Sequence, residues 1–142
     1  LACDYLFAST AARFADTHAR VGILPGWGLS QKLTRIIGIN RAREMSLAGN
    51  FIDAQCAEAW GLVNRVCSPE TLVDETLESA AQVADGDRKA VVALKALMND
   101  GAKQNLGDAL VLEGERGNAF AKTVDYSAMG ERLAALRKRA AK

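Results

Sequence analysis

A single histidine, two prolines and few aromatic side chains mark this 142-residue sequence. That histidine, His18, and three widely spaced cysteines (Cys3, Cys56 and Cys67) cannot assemble a Cys/His zinc set, and no CxxC pair occurs. No metal is therefore expected. The odd cysteine number argues for free, buried thiols in a reducing compartment, with the cytosol as the expected location. No apolar run is long enough to span a bilayer. The opening Leu1-Ala-Cys-Asp-Tyr-Leu-Phe-Ala-Ser9 lacks a basic leader region and carries an acid early, so no signal peptide is expected. A dominant charge is also missing. The formal net charge is +1, which leaves no global field to attract nucleic acid. Aromatics amount to 6% and form no stripe with basic residues that would stack bases. Neither a membrane nor a nucleic acid is an expected partner.

What is present is ordinary globular composition, 49% apolar and 25% charged. The length suits one domain better than two. Residues 4–9 and 13–15 have strand character. The run Val21-Gly-Ile-Leu-Pro-Gly-Trp-Gly28 is a tight Gly/Pro loop. After it, Leu29, Leu33, Ile36 and Ile37 recur at helical spacing up to a stop at Gly38. Asn40 is the expected cap of a second helix that ends near Gly49, and Asp53 that of a third over residues 54–60. Residues 62–66 read as a strand. Ser68-Pro69 opens a helix with its apolar face at Leu72, Val73, Leu77, Ala80 and Ala84. Further helices are expected around Val91–Met98, over Leu106–Phe120 and in a basic tail over Met129–Lys142.

Taken locally, the Pro25-Gly26-Trp27-Gly28 loop has two readings. Backbone N–H groups of a glycine-rich turn at a helix start can hold an anion, a carbonyl oxygen or a water. A plain tight turn that lets a helix approach closely has the same composition.

The wider pattern is more specific. Phe14, Gly22, Pro25, Gly26, Gly28 and Leu33 fall in register with F-x-x-P-E-x-x-x-G-x-x-P-G-x-G-x-x-x-x-L. Ala42, Leu47, Gly49, Ile52, Ala54, Ala57, Gly61, Leu62, Val63 and Val66 fall in register with A-x-x-x-x-L-T-G-x-x-I-x-A-x-x-A-x-x-x-G-L-V-x-x-V. In both order and spacing the chain resembles the C-terminal half of the enoyl-CoA hydratase/isomerase (crotonase) family. The resemblance implies an α/β fold of stacked ββα turns, here mainly the last turn over residues 1–66, followed by a helical C-terminal region over residues 67–142. It implies an acyl-CoA thioester as substrate, with coenzyme A entering as part of that substrate and no separate cofactor. It implies a homotrimer or hexamer, assembled through the helical region. It also implies a thioester oxyanion held by two backbone N–H groups and protons moved by two glutamates.

On this resemblance the oxyanion donors and the first glutamate are expected upstream of Leu1. The second glutamate falls on His18, preceded by Thr17 where the family has Pro. A histidine is suited to acid–base work near neutral pH, but hydration by two carboxylates that share a water would be altered in charge and geometry. A hydrogen-bonded structural histidine is the competing reading. Asp16 either orients His18 or is a solvated or capping acid. Gly26 matches the glycine whose N–H faces the reactive water. Leu24, Pro25 and Trp27 are candidates to line the acyl pocket, and Trp27 alternatively covers the core. The dienoyl isomerase branch carries an acid at the position of Gly26, which disfavours that branch. The tail residues Arg132, Arg137, Lys138, Arg139 and Lys142 form a solvated basic helix end in preference to a phosphate site. The function implied is hydration of 2-enoyl-CoA. Isomerisation, decarboxylation, thioester hydrolysis and non-catalytic acyl-CoA binding or assembly stand as alternatives.

Overall fold

The computed structural model describes residues 1–127 and 129–140, with side chains through residue 137. Two compact units divide the chain, Leu1–Val83 and Ala84–Lys142. In chain order the first holds β1 (Phe7–Ser9), β2 (Arg13–Phe14), a 3-10 turn (His18–Val21), α1 (Leu29–Ile37), α2 (Ile39–Ala48), β3 (Ile52–Asp53), α3 (Ala54–Ala59), β4 (Arg65–Cys67) and α4 (Leu72–Ala84). The second holds α5 (Arg88–Gly101), α6 (Leu106–Ala121) and α7 (Met129–Ala140).

Two short strand pairs organise the first unit. β1 pairs in parallel with β4, Phe7 opposite Arg65 and Ser9 opposite Cys67. A parallel pair requires a long crossover, and here the crossover carries α1, α2 and α3. Asn64 fastens the junction. Its N–H donates to the Leu6 carbonyl at 2.7 Å, and its Oδ1 accepts from the Leu6 N–H at 3.1 Å. β2 pairs antiparallel with β3, Arg13 opposite Asp53 and Phe14 opposite Ile52. This second pair fixes the chain immediately before Asp16 and His18.

The core between these strands and helices is built from modest side chains: Ala8, Leu33, Ile37, Ala42, Met45, Ala54, Ala57, Leu62 and Val63. Leu33 and Ile37 lie one turn apart on α1, and Ala42 and Met45 lie three apart on α2, so each helix turns one face inward. Burying a side chain such as Leu33 or Ile37 is worth about 2 kcal/mol.

Several local expectations shift by a residue or two. The cap of α2 is Gly38 and not Asn40. Gly38 adopts φ 82°, ψ 154°, a region essentially reserved for glycine, and the chain re-enters a helix at once. Asn40 is thereby drawn into the first turn. Asp53 does cap α3, accepting from the Cys56 N–H at 2.8 Å. The N–H groups of Leu62 and Val63 both turn back to the Ala57 carbonyl of α3, at 2.8 and 3.3 Å, and the strand begins only at Arg65. Ser68 closes a turn with Thr71, its Oγ accepting the Thr71 N–H at 3.3 Å, and α4 starts at Leu72. Of the cysteines expected to be buried, Cys67 is buried, Cys56 is half-buried and Cys3 is exposed. All three are free.

In the second unit, Asp87 caps α5 by accepting the Ala90 N–H at 2.9 Å. Asn105 caps α6 by accepting the Asp108 N–H at 3.0 Å. Arg116 on α6 reaches Asp100 on α5 at 2.8 Å. Facing residues of α5 and α6 leave an apolar groove of about 660 Å³ lined by residues such as Val91, Leu94, Leu97 and Phe120. α4, α5 and α6 bury none of their residues fully. On α7, Arg132 is exposed and pairs with Asp87 at 3.0 Å, and Arg137 is exposed, as a solvated basic helix end would have them. The side chains of Lys138 and Arg139, and Lys142 altogether, lie outside the described residues. Among the described residues no helix is long and apolar enough to cross a membrane.

Candidate active site

The 3-10 turn that starts at His18 is short because glycine closes its C-terminal end. Gly22 ends it in the left-handed region (φ 75°), with its N–H turned back to carbonyls of the turn. The Ile23 N–H then donates to the His18 carbonyl at 3.1 Å, which ties the following loop to the histidine. Arg20, on the same turn, donates from Nε to the carbonyl oxygen of Ala48 at 2.6 Å. A guanidinium on the last carbonyls of α2 is favourably placed for the helix dipole, and it anchors the turn to the helix.

His18 and Asp16 are in contact. Nδ1 of the imidazole lies 2.6 Å from Oδ1 of Asp16, and the His18 backbone N–H donates to the same oxygen at 3.3 Å. Asp16 is 3% exposed, whereas the His18 side chain is 32% exposed. The solvated reading of Asp16 is therefore overturned: it is a buried acid facing a partly accessible ring. Nε2 of His18 has no hydrogen-bond partner among the described residues. Burial pushes the Asp16 carboxyl up, but hydrogen bonds from the Ser46 hydroxyl and from His18 outweigh it and hold the group below its ordinary value. Asp16 also lines a cavity of about 290 Å³ whose walls are largely apolar and include Arg13, Leu33 and Met45.

The loop after the turn presents its side chains outward. Leu24 is 92% exposed and Trp27 is 98% exposed, while Pro25 is half-buried. The core-covering reading of Trp27 is thus wrong for this chain. The reason lies in the backbone: Trp27 sits at φ 52° and Gly28 at φ 81°, so the chain reverses before α1 and throws the indole away from the helix. Gly26 accepts at its carbonyl from the Leu29 N–H at 3.1 Å. Its own N–H meets no acceptor among the described residues. The residues expected to act together therefore fall into two sets, the Asp16–His18 pair and the exposed segment Leu24 to Trp27. The His18–Ile23 hydrogen bond connects the two.

Ser46 and Arg20 had no signal in the sequence. Ser46 lies on α2, thirty positions from the carboxyl that it helps to hold below its ordinary value, and nothing in its neighbourhood in the sequence links it to Asp16. Among the described residues no group of three or more His, Cys, Asp or Glu side chains is placed to hold a metal ion.

Comparison with known proteins supplies the class. The enoyl-CoA hydratase/isomerase family profile matches residues 1–139. This chain belongs to that family. A probable peroxisomal enoyl-CoA hydratase of Arabidopsis thaliana is 48% identical over 120 residues, which are 84% of this chain and 45% of that protein. A short-chain-enoyl-CoA hydratase of Clostridioides difficile is 36% identical over 113 residues, 80% of this chain and 73% of that protein. The crystal structure of an enoyl-CoA hydratase from Bacillus anthracis superposes with a TM-score of 0.85 at 31% identity, covering 96% of this chain and 52% of that one. The crotonase-like fold anticipated from the two spaced motifs is the fold of the chain. The chain spans about half the length of the Arabidopsis and Bacillus proteins.

Proposed function

We propose that this protein hydrates 2-enoyl-CoA thioesters, with His18 and the Gly26 N–H as this chain's share of the active site. The observation that carries the reading is the unbonded Gly26 N–H on a loop hydrogen-bonded to the carbonyl of His18, in a chain 48% identical to a probable enoyl-CoA hydratase. The Gly26 N–H holds the attacking water by donating to its oxygen. Nε2 of His18 and the carboxylate expected before Leu1 accept its two hydrogens. The water oxygen bonds to the β-carbon, and one of its protons passes to this pair of bases. The double-bond electrons move onto the thioester oxygen, where backbone donors stabilise the enolate. Return of the proton to the α-carbon completes the addition. Leu24, Pro25 and Trp27 form one wall of the acyl site; the outward apolar surface of Leu24 and Trp27 is what such a wall requires.

The apolar faces of α4, α5 and α6, none with a fully buried residue, support assembly into a homotrimer or hexamer. Three unpaired cysteines favour a reducing compartment, the cytosol.

The test is consumption of crotonyl-CoA, followed as loss of the conjugated enoyl absorbance, by protein that carries the segment expected before Leu1. His18→Ala should lower kcat by about a hundredfold, the usual worth of one positioned acid–base group. Tight thioester binding with no turnover of any acyl-CoA, and no gain from His18→Glu, would instead mark a non-catalytic acyl-CoA-binding protein.

A further inference from the structure

We infer that Asp16 is a positioning residue for His18, receiving Nδ1–H so that Nε2 presents its lone pair as the free, basic nitrogen. This rests on the hydratase reading above, and it adds a residue and a protonation geometry that the paired-glutamate pattern does not contain.

The argument is one of donors and acceptors. An ionised carboxylate can only accept hydrogen bonds. Asp16 Oδ1 lies 2.6 Å from Nδ1, a distance that requires a proton between them. With the carboxylate ionised, that proton belongs to Nδ1, and a neutral ring then has none on Nε2. The other hydrogen bond to Asp16 favours the same state. The His18 backbone N–H donates to Oδ1 at 3.3 Å. Ring and backbone N–H both act as donors, which stabilises the charged form.

Burial gives the arrangement direction. The acid is 3% exposed and the ring 32% exposed, so the carboxylate is the buried member of the pair and the imidazole the accessible one. The pair is also held rigidly for so local a contact. β2 is paired to β3 up to Phe14, two residues before Asp16. Arg20, two residues after His18, is bonded to the end of α2. A ring held at both flanks loses little freedom on binding substrate. A carboxylate behind an imidazole also stabilises the imidazolium that forms when Nε2 takes a proton from water.

The test is the imidazole tautomer, read by nitrogen NMR in protein labelled with ¹⁵N at histidine. His18 is the one histidine of this sequence, and loss of its signals in His18→Gln confirms the assignment in any longer form. At a pH where the ring is neutral, Nδ1 should give the protonated signal and Nε2 the unprotonated one. Asp16→Ala, which removes the acceptor, should shift the ring toward the Nε2–H form and lower kcat on crotonyl-CoA by about tenfold or more, with KM little changed. Asp16→Glu should restore part of both. A wild-type ring protonated at Nε2 overturns the inference without any variant. So does an Asp16→Ala protein with unchanged tautomer and unchanged kcat. If the tautomer shifts as expected but the wild type turns over no enoyl-CoA, Asp16 holds His18 as inferred, and it is the hydratase reading that fails.

Discussion

Arg20 lies across Gly49: a Cβ built on the glycine would stand 2.5 Å from Cγ of the arginine. Gly49 itself is left-handed (φ 63°), its N–H returning to the Met45 carbonyl to end α2. The contact joins the end of a helix to the turn that carries His18, and it leaves room for no side chain. Gly49→Ala therefore meets two penalties, about 1–2 kcal/mol for an L-residue in the left-handed region and displacement of the Arg20 stem from its bond to Ala48. A loss of about 2–3 kcal/mol in urea unfolding is expected. Arg20→Ala should lose less stability than Gly49→Ala, because it opens space where the other variant closes it.

Asp16 predicts the shape of the acid limb of stability. Its carboxyl is held below its ordinary value in the folded chain, mainly because hydrogen bonds from Ser46 and His18 outweigh burial. Below about pH 4 the unfolded chain therefore binds more protons at this position than the folded chain does. Its contribution is fully present above the unfolded value and is lost as the pH falls through the folded one. Asp16→Asn should cost about 2 kcal/mol at neutral pH and flatten the fall in stability below about pH 4. Denaturant midpoints from pH 7 to pH 3 would show both. An acid limb of unchanged slope would mean that other carboxylates set it.

Trp27 should separate folding from binding. Its indole is 98% exposed, so its removal costs the fold of this chain no buried area, and its left-handed backbone suits glycine. Trp27→Gly is expected to leave unfolding within about 1 kcal/mol of the parent. If the loop forms a wall of the acyl site, the same variant raises KM for 2-enoyl-CoA by about fivefold, the equivalent of about 1 kcal/mol of lost aromatic contact. Equal KM values for the two proteins would remove Trp27 from the acyl site.

Asp53 is a purely local case. It accepts the Cys56 N–H at the start of α3, whose Ala54 and Ala57 are fully buried. Asp53→Ala should cost about 1 kcal/mol, as loss of a capping side chain generally does. Asp53→Asn should restore most of it, because the amide oxygen accepts in the same way. Thermal unfolding of the three proteins distinguishes loss of a cap from loss of a charge.

How far the sequence alone reached follows from the range of the forces involved. The ends of α1, α2 and α3 were legible because Gly38, Gly49, Asp53 and Gly61 act through their own backbone angles or over three residues. The two spaced motifs placed His18 and Gly26 at family positions, since register along a chain is a one-dimensional property. Three things needed the tertiary structure. Gly38 starts α2 in place of Asn40 because a single glycine can end one helix and begin the next. Trp27 points outward because two successive left-handed residues turn the loop away from the core that an apolar residue would otherwise join. Asp16 is a buried partner of His18 because β3, two helices further along the chain, pairs with β2 and fixes the backbone just before the acid. Burial and long-range hydrogen bonds depend on which elements meet in space, and local sequence carries that information only where a motif has already recorded it.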